Sequence, residues 1–388
     1  MNLDDLIDLF LRAMKMLRIL FAVALTSTLL WSCKSDLELN APYKPMTVVF
    51  GLLDPSADTQ WVKINKTWLG DGNNLNYALI RDSSEYNFDE FTGTVERVKG
   101  GAVTHSWMLD SITLSNKTEN GIFFGPEYTA YYFVPEDGLG NPDGASYRLF
   151  LDFENKEDVE GFSTVIDAPL SNNSNITQPP AGFDGYELNL ANVTPDGTHY
   201  NSFEFKWNSS DNAGRYELSL NVHYIEYVWD DVAHTNLISE KQKSINWFLG
   251  SVLVPADNQN AQLKKEVKWE SFYRMLRNVL NEDTKITRQF GIWDEDAQKL
   301  RAFDMVLTVA NDELNTYLEV NEPVTGIIQE RPEYTNLSNG LGLWASRTQQ
   351  KVLGLKPSLG TIRELVEGEY TATLNFCSGN PFDDYSCD

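Results

Sequence analysis

Period-two alternation in short runs is the feature that most restricts what this 388-residue chain can become. Successive side chains on a strand point to opposite faces. Apolar residues at every second position therefore give one buried face and one wet one. Thr47-Val48-Val49-Phe50-Gly51-Leu52 and Trp61-Val62-Lys63-Ile64-Asn65 read as strands, as do Gly93–Val98, Glu127–Val134, Ser146–Phe153 and Phe162–Ile166. Turn clusters punctuate them: GDGNN at 70–74, VKGGA at 98–102, EDGLGNPDGA at 136–145 and ENKED at 154–158. Such spacing argues for an antiparallel sandwich, with a hairpin over 147–166.

Residues 168–184, APLSNNSNITQPPAGFD, are rich in Asn, Ser and Pro and lack an apolar period, which marks a domain boundary. Beyond it Phe203-Glu204-Phe205-Lys206-Trp207 alternates, a polar turn follows, and Tyr216-Glu217-Leu218-Ser219-Leu220-Asn221-Val222 alternates again. This order is similar to the early strands of fibronectin type III and immunoglobulin-like domains, where the Trp plugs the core. Residues 237–254 and Phe303–Val309 add strand. In 265–281 the period changes: Val267, Phe272, Met275, Leu276, Val279 and Leu280 recur at helical spacing. Residues 311–319 and 358–367 read as shorter helices, the latter just after Pro357. The expected fold is mainly β, with two immunoglobulin/fibronectin-like antiparallel β-sandwich domains over 45–168 and 185–388. A linker over 169–184 joins them, and the second carries inserted short helices. Trp61, Trp207 and Trp344 lie in strand patterns and are expected in the core.

Ahead of the strands stands LRILFAVALTSTLLWSC, Leu17 to Cys33. Lys15 and Arg18 flank an apolar run short of the roughly 20 residues a membrane span takes, and small Ser32 closes it, as in a secretory leader. Leu30-Trp31-Ser32-Cys33 resembles a bacterial lipobox, whose Cys becomes the lipid-bearing first residue of the mature chain. Residues 1–32 are thus read as a lipoprotein signal peptide and 33–44 as a tether. Asp4, Asp5 and Asp8 put negative charge where a leader opens positive, so Met14 or Met16 is the better start; an amphipathic helix carrying Leu3, Leu6, Ile7 and Leu11 is the alternative. Acyl chains on Cys33 would give stable membrane anchoring at about 0.8 kcal/mol per buried methylene. Lys34-Ser35-Asp36-Leu37-Glu38 is similar to the surface-export signal of Bacteroidetes lipoproteins. It implies an outer-membrane protein facing the cell surface, with the periplasmic face as the alternative.

The formal charge of −25 argues against nucleic acid as a partner, since that interaction needs a Lys/Arg excess. Besides Cys33 there are Cys377 and Cys387, an even pair expected to form a disulfide outside the cytosol; two thiols are the alternative. The histidines His105, His199, His223 and His234 are scattered, and neither H-E-x-x-H nor G-x-S-x-G occurs. No catalytic residue and no resident metal is therefore assigned. The carboxylate clusters Asp294-Glu295-Asp296 and Asp82-Ser83-Ser84-Glu85 would serve glycoside chemistry only as two carboxyls facing across a cleft; solvated loops are the plainer reading. Calcium is the one cofactor with any support. Asp71-Gly72-Asn73-Asn74 and Asp137-Gly138 with Asn141 and Asp143 are oxygen-rich turns, though without the EF-hand order. Trp68 and Trp293 adjoin polar turns and are the candidate ligand contacts, as sugar-stacking platforms. Asp110-Ser111-Ile112 resembles the acceptor of Bacteroidetes protein O-glycosylation and puts Ser111 on an exposed turn.

Asn315-Thr316-Tyr317-Leu318-Glu319-Val320-Asn321, then Glu330-Arg331-Pro332-Glu333-Tyr334-Thr335-Asn336, then Asn339-Gly340-Leu341-Gly342-Leu343-Trp344-Ala345-Ser346-Arg347 form the most specific stretch. It resembles a family of Bacteroidetes outer-membrane lipoproteins, domain-of-unknown-function family 4249, in which P-x-Y-T-N precedes N-G-x-G and an apolar pair. Val48-Val49-Phe50-Gly51 shortly after the lipid Cys fits the same pattern. The resemblance implies an outer-membrane or periplasmic protein found beside TonB-dependent uptake systems, and carries no enzymatic activity. Gly340 and Gly342 read as structural punctuation between an extended element and the apolar plug Leu343-Trp344. The expected function is a non-enzymatic binding or accessory component of such a system, with a TonB-dependent outer-membrane receptor as partner. A hydrolase of polysaccharide or peptide, and an adhesin or envelope-structural protein, are the alternatives.

Overall fold

The alternating runs of the N-terminal half become two facing sheets in the computed structural model, which describes residues 14–18, 43–70, 73–117, 121–140, 144–166, 174–176, 187–255, 261–322 and 333–387. Residues Met1–Lys44 form one unit, of which 14–18 are helical, and Pro45–Asp388 form another. Within the larger unit the first strands are β1 (Thr47–Leu53), β2 (Gln60–Lys66), β3 (Phe91–Lys99), β4 (Ala102–Met108), β5 (Asp110–Leu114), β6 (Tyr128–Phe133), β7 (Ala145–Phe153) and β8 (Val159–Ser163). They pair antiparallel as β1–β2–β6–β5 and as β8–β7–β3–β4. Val49, Val62, Ile64, Tyr131 and Phe133 of one sheet meet Phe91, Val95, Leu149, Leu151 and Val159 of the other in a single core.

The second half continues with β9 (Glu187–Leu188), β10 (Ala191–Thr194), β11 (Gly197–Tyr200), β12 (Ser202–Asn208), β13 (Arg215–Trp229), β14 (Leu237–Leu253) and β15 (Gln262–Lys268). Then come β16 (Ile286–Phe290), β17 (Ile292–Asp294), β18 (Lys299–Arg301), β19 (Phe303–Ala310), β20 (Leu337–Ser338), β21 (Gly340–Pro357) and β22 (Phe376–Ser378). Long β13 carries β14 on one edge and β19 and β16 on the other. Leu218, Leu220, Val222, Leu307 and Val309 of this sheet face Phe205, Trp207, Leu263 and Val267 of the β12–β15 pair. Phe272, Tyr273 and Leu276 of the helix Glu270–Val279 and Leu365 of the helix Leu359–Glu367 complete that core. The second core is thus closed by helices as well as strands.

The sheets of the two halves are continuous through β21. Its first residues run parallel to β1, from Thr47↔Gly340 to Leu53↔Ser346, and its later ones run antiparallel to β19. The expected 45–168 domain is therefore not closed by its own residues: Leu337 and fully buried Trp344 belong to its core. Trp344 lies against Gly51 and Gly161, where a Cβ would meet its atoms at 2.4 and 3.2 Å, and its indole N–H donates to Tyr147 O at 2.9 Å. Gly342 sits at φ +105°, and a Cβ there would lie 2.0 Å from Val49 O, so only glycine lets β1 and β21 approach. Asn336 fixes the entry to the strand by accepting from Trp344 N at 3.0 Å and donating to Trp344 O at 2.6 Å. The N-G-x-G element is structural punctuation that inserts one half of the chain into the other.

Three local expectations change. The helix expected over 265–281 is strand through Lys268 and helix only over Glu270–Val279. Val267 fits both periods, and it is buried opposite Phe203 of β12. The strand expected over Phe162–Ile166 lies earlier, at Val159–Ser163, so Phe162 faces out while Val159 turns in. Trp61, expected in the core, is 47% exposed. Val62 and Ile64 hold the inward phase of β2, which sends Trp61 to the other face. The linker at 169–184 lies mostly outside the described residues.

Trp344→Ala should cost about 3–5 kcal/mol, the cost of removing a large buried aromatic. Gly342→Ala should also destabilise, from the clash with Val49 O. Urea unfolding followed by circular dichroism measures both.

Candidate functional site

One face of the continuous sheet presents two open surfaces of contrasting chemistry. Leu343, Ala345, Arg347, Gln349 and Lys351 alternate onto this face of β21. At its middle the helix Asp312–Asn321 covers it, with Leu314, Tyr317 and Leu318 packed on Ala310, Leu343 and Ala345. Asn311 starts that helix: its side-chain oxygen accepts from Leu314 N at 3.2 Å, and its amide donates to Ser163 Oγ at 2.8 Å. On either side of the helix the face is open, and the two open parts differ in chemistry.

Toward β5 the face is apolar. Phe50 and Leu52 of β1, Trp61 of β2 and Ile112 of β5 are all exposed. The Trp61 and Tyr132 rings are cross-strand neighbours with centroids 5.4 Å apart, and Tyr132 OH donates to Asp110 Oδ2 at 3.1 Å. Phe50 meets the covering helix edge-on through Tyr317 at 6.0 Å. Exposed apolar side chains grouped in this way are of the kind found at interaction surfaces.

Toward β14 the face is polar and hollow, with a cleft of about 320 Å³ lined by residues of β13, β14, β19 and β21. Its floor is short-chained, Ser219 and Val306, which pair across β13 and β19. Asn246 donates to Asn221 Oδ1 at 2.7 Å, and Gln349 donates to Thr308 Oγ1 at 3.0 Å. Glu217 accepts from Arg215 at 3.0 Å. Nearby, His223 Nε2 lies 2.8 Å from Asp304 Oδ2, which holds the histidine in a half-buried strand position.

A further cleft of about 320 Å³ lies by Arg81, Asp82, Glu85, Ser111, Ile112 and Thr129. Glu85 is 4% exposed and accepts from Thr129 N at 3.0 Å, Thr129 Oγ1 at 2.8 Å and Arg81 Nε at 3.1 Å. Burial pushes its carboxyl up, but those hydrogen bonds and the Lys63 charge outweigh burial and hold it below the ordinary carboxylate range. A carboxylate so fully engaged is a structural hub, and Asp82 alone beside it does not make an acid–base pair. Lys156 is a half-buried cation, donating to Thr47 Oγ1 at 2.5 Å and to Tyr86 OH, and lying 3.8 Å from the Phe153 ring centre. Burial lowers its amine to about 8.

The candidate contacts singled out from sequence are not brought together. Trp68 is half-buried, donates to Asn74 O at 3.2 Å and meets Phe123 edge-on. Trp293 is half-buried and meets Phe382 edge-on at 5.4 Å. Phe382 stands exposed in the loop closed by a disulfide between Cys377 and Cys387. Ser111, expected on an exposed turn, lies in edge strand β5 and is partly buried; pairing with Tyr131 of β6 holds it there. In the cluster 294–296, Asp294 accepts from Ala297 N at 2.9 Å and contacts Arg301. Asn73 caps the short helix Asn74–Ala78 through Leu75 N, and Asn74 accepts from Gly70 N at 3.2 Å. Asp71, Gly72, Asn141, Asp143 and Cys33 lie outside the described residues. Among the described residues no group of three or more His, Cys, Asp or Glu is placed to hold a metal, and no helix is long and apolar enough to cross a membrane. Sequence reasoning missed Trp61, Phe248 and Phe382; the phase of β2 was the signal that could have found the first.

The chain matches no protein-family model and no curated protein. Glu85→Ala should cost about 2 kcal/mol, chiefly by leaving the Thr129 N–H and hydroxyl without their acceptor. Because Glu85 is held below its ordinary value, this contribution is complete above about pH 4.5 and is lost as pH falls through the lowered folded value. Unfolding of wild type and variant at pH 7 and pH 3 reads both effects. For Lys156 the slope has the same sign, in an alkaline window. Its unfolded chain binds more protons between about pH 8 and its ordinary value of 10.5, so it makes stability rise with pH over that window. Melting curves of Lys156→Met against wild type should show that part of the rise gone.

Proposed function

We propose that the protein is a lipid-anchored outer-membrane surface protein, a non-enzymatic binding or accessory component of a TonB-dependent nutrient-uptake system. The observation that carries this reading is the exposed strip of Phe50, Leu52, Trp61 and Ile112. A soluble body leaves such side chains in water at a cost of about 25 cal/mol per Å², which a partner's surface recovers. The acylated Cys33 of the proposal fits that use. The thirteen residues 34–46 that separate it from β1 span at most about 45 Å, which confines the body to the membrane surface where a barrel receptor presents its rim. The strongly acidic remainder of the chain favours a partner that meets the strip through apolar contact and brings little negative charge. Within the same proposal, the first core is that of an immunoglobulin/fibronectin-like β-sandwich, supported by its two facing antiparallel sheets.

Two substitutions test the parts separately. Cys33→Ala should move the chain from the membrane fraction to the soluble one. Trp61→Glu, at an exposed position, should keep the melting midpoint within a few degrees and abolish co-purification of a barrel receptor with the tagged chain. Recovery of a receptor undiminished by Trp61→Glu, or no receptor recovered with wild type, would contradict the proposal.

A further inference from the structure

We infer that the polar cleft on β13, β14, β19 and β21 is a binding site for a neutral pyranose sugar, either free or at the end of a polysaccharide. The cleft is built row by row. Its middle row is Phe248, Ser219, Val306 and Lys351, in which Phe248 pairs with Ser219, Ser219 with Val306 and Val306 with Lys351. Short side chains in the centre between a ring and a long amine make the hollow. The flanking rows are Asn246 with Asn221 on one side and Glu217, Thr308 and Gln349 on the other.

The phase that puts Phe248 here depends on an irregularity. The β13–β14 register shifts between Leu218 and Ser219, so Gly250 stands opposite Leu218 and Phe248 opposite Ser219. Gly250 takes φ +124°, which glycine accommodates. Trp247 and Leu249 then pack on the core while Phe248, 53% exposed, turns to the cleft.

The chemistry of the walls selects the ligand. They carry three side-chain amides (Asn221, Asn246 and Gln349) and the hydroxyls of Ser219 and Thr308, all able to meet a hydroxyl that both donates and accepts. Of the residues that line it, Glu217 is the one anion and is tied to Arg215, and Lys351 is the one cation, so the lining has no excess charge to attract an ionic ligand. Phe248 offers a flat apolar face. A neutral, polyhydroxylated ring with an apolar C–H face satisfies all three conditions. The volume of about 320 Å³ falls at the small end of ligand sites, suited to a short saccharide. This inference deepens the binding-module reading and rests on it.

The test uses the full chain in detergent, by native electrophoresis through gels containing amylopectin, mixed-linkage β-glucan, xylan or galactomannan, and by calorimetry with the matching oligosaccharides. At least one polymer should retard the wild type, and Phe248→Ala and Asn221→Ala should each weaken that binding tenfold or more without lowering the melting midpoint. Should Phe248→Ala destabilise the chain, Asn246→Ala serves in its place with the same expectation. Trp61→Ala should leave sugar binding unchanged. Calorimetric binding of the oligosaccharide as tight as that of the polymer supports a free sugar or chain end, and polymer-only binding places the contact in the chain interior and overturns the inference. No retardation by any of the four polymers, or retardation undiminished by Phe248→Ala and Asn221→Ala, overturns the inference. If receptor co-purification stays sensitive to Trp61→Glu while no sugar binds, the ligand assignment alone falls.

Discussion

The parallel pairing of β1 with the first half of β21, sealed by Trp344, is the interaction on which the rest of the fold depends. Without it the N-terminal sheets would lack the aromatic plug that fills the space over Gly51 and Gly161. The two halves would then keep only the short β20–β8 pairing, the packing of Ile166 in the second core, and side-chain links such as those from Asn311 to Ser163 and Thr164. With it, one strand is bonded to β1 at one end and to β19 at the other, and two hydrophobic cores hang from a single continuous sheet. The physical requirement is closeness. Gly342 gives β21 the left-handed backbone and the missing Cβ that bring it against Val49, and Asn336 holds the neighbouring turn.

That continuity also organises the surface. Because a strand alternates strictly, the residues of β21 that follow Leu343 and Ala345 on the covered face are Arg347, Gln349 and Lys351 on the open one. The helix Asp312–Asn321 lies between an apolar strip and a polar cleft, separating them on one plane. A partner on the strip and a small ligand in the cleft would therefore share a rigid support without sharing a surface. The proposed division of labour, with partner docking near β2 and sugar recognition near β14, follows from that geometry.

Much of this was legible in the chain. The runs at 47–52, 61–65, 146–153, 216–222 and 303–309 become strands because period two is a direct consequence of strand geometry. Trp207 and Trp344 are buried as their patterns required, and Ser358 caps the last helix through Thr361 N. The position of Trp61 was legible too, since Lys63 and Asn65 share its phase and Val62 and Ile64 do not, but the apolar character of tryptophan outweighed the phase. Other features were not. Alternation shows which face a residue takes and not which strand it pairs with, so the contact between residues 47–53 and 340–346 left no local trace. Gly340 and Gly342 made the start of an 18-residue strand read as punctuation between two elements. The cleft was hidden for the same reason: it is assembled from four strands, and its ring depends on a register shift opposite Gly250.

Hydrogen–deuterium exchange at the shared strand tests the account most directly. The amides of Val49, Gly51 and Leu343 should be protected to the same free energy as those of Leu149 in the first core and Leu307 in the second, all opening together on global unfolding. Rapid exchange at 340–346 and 47–53 while both cores stay protected would contradict a sheet that runs unbroken through the two halves.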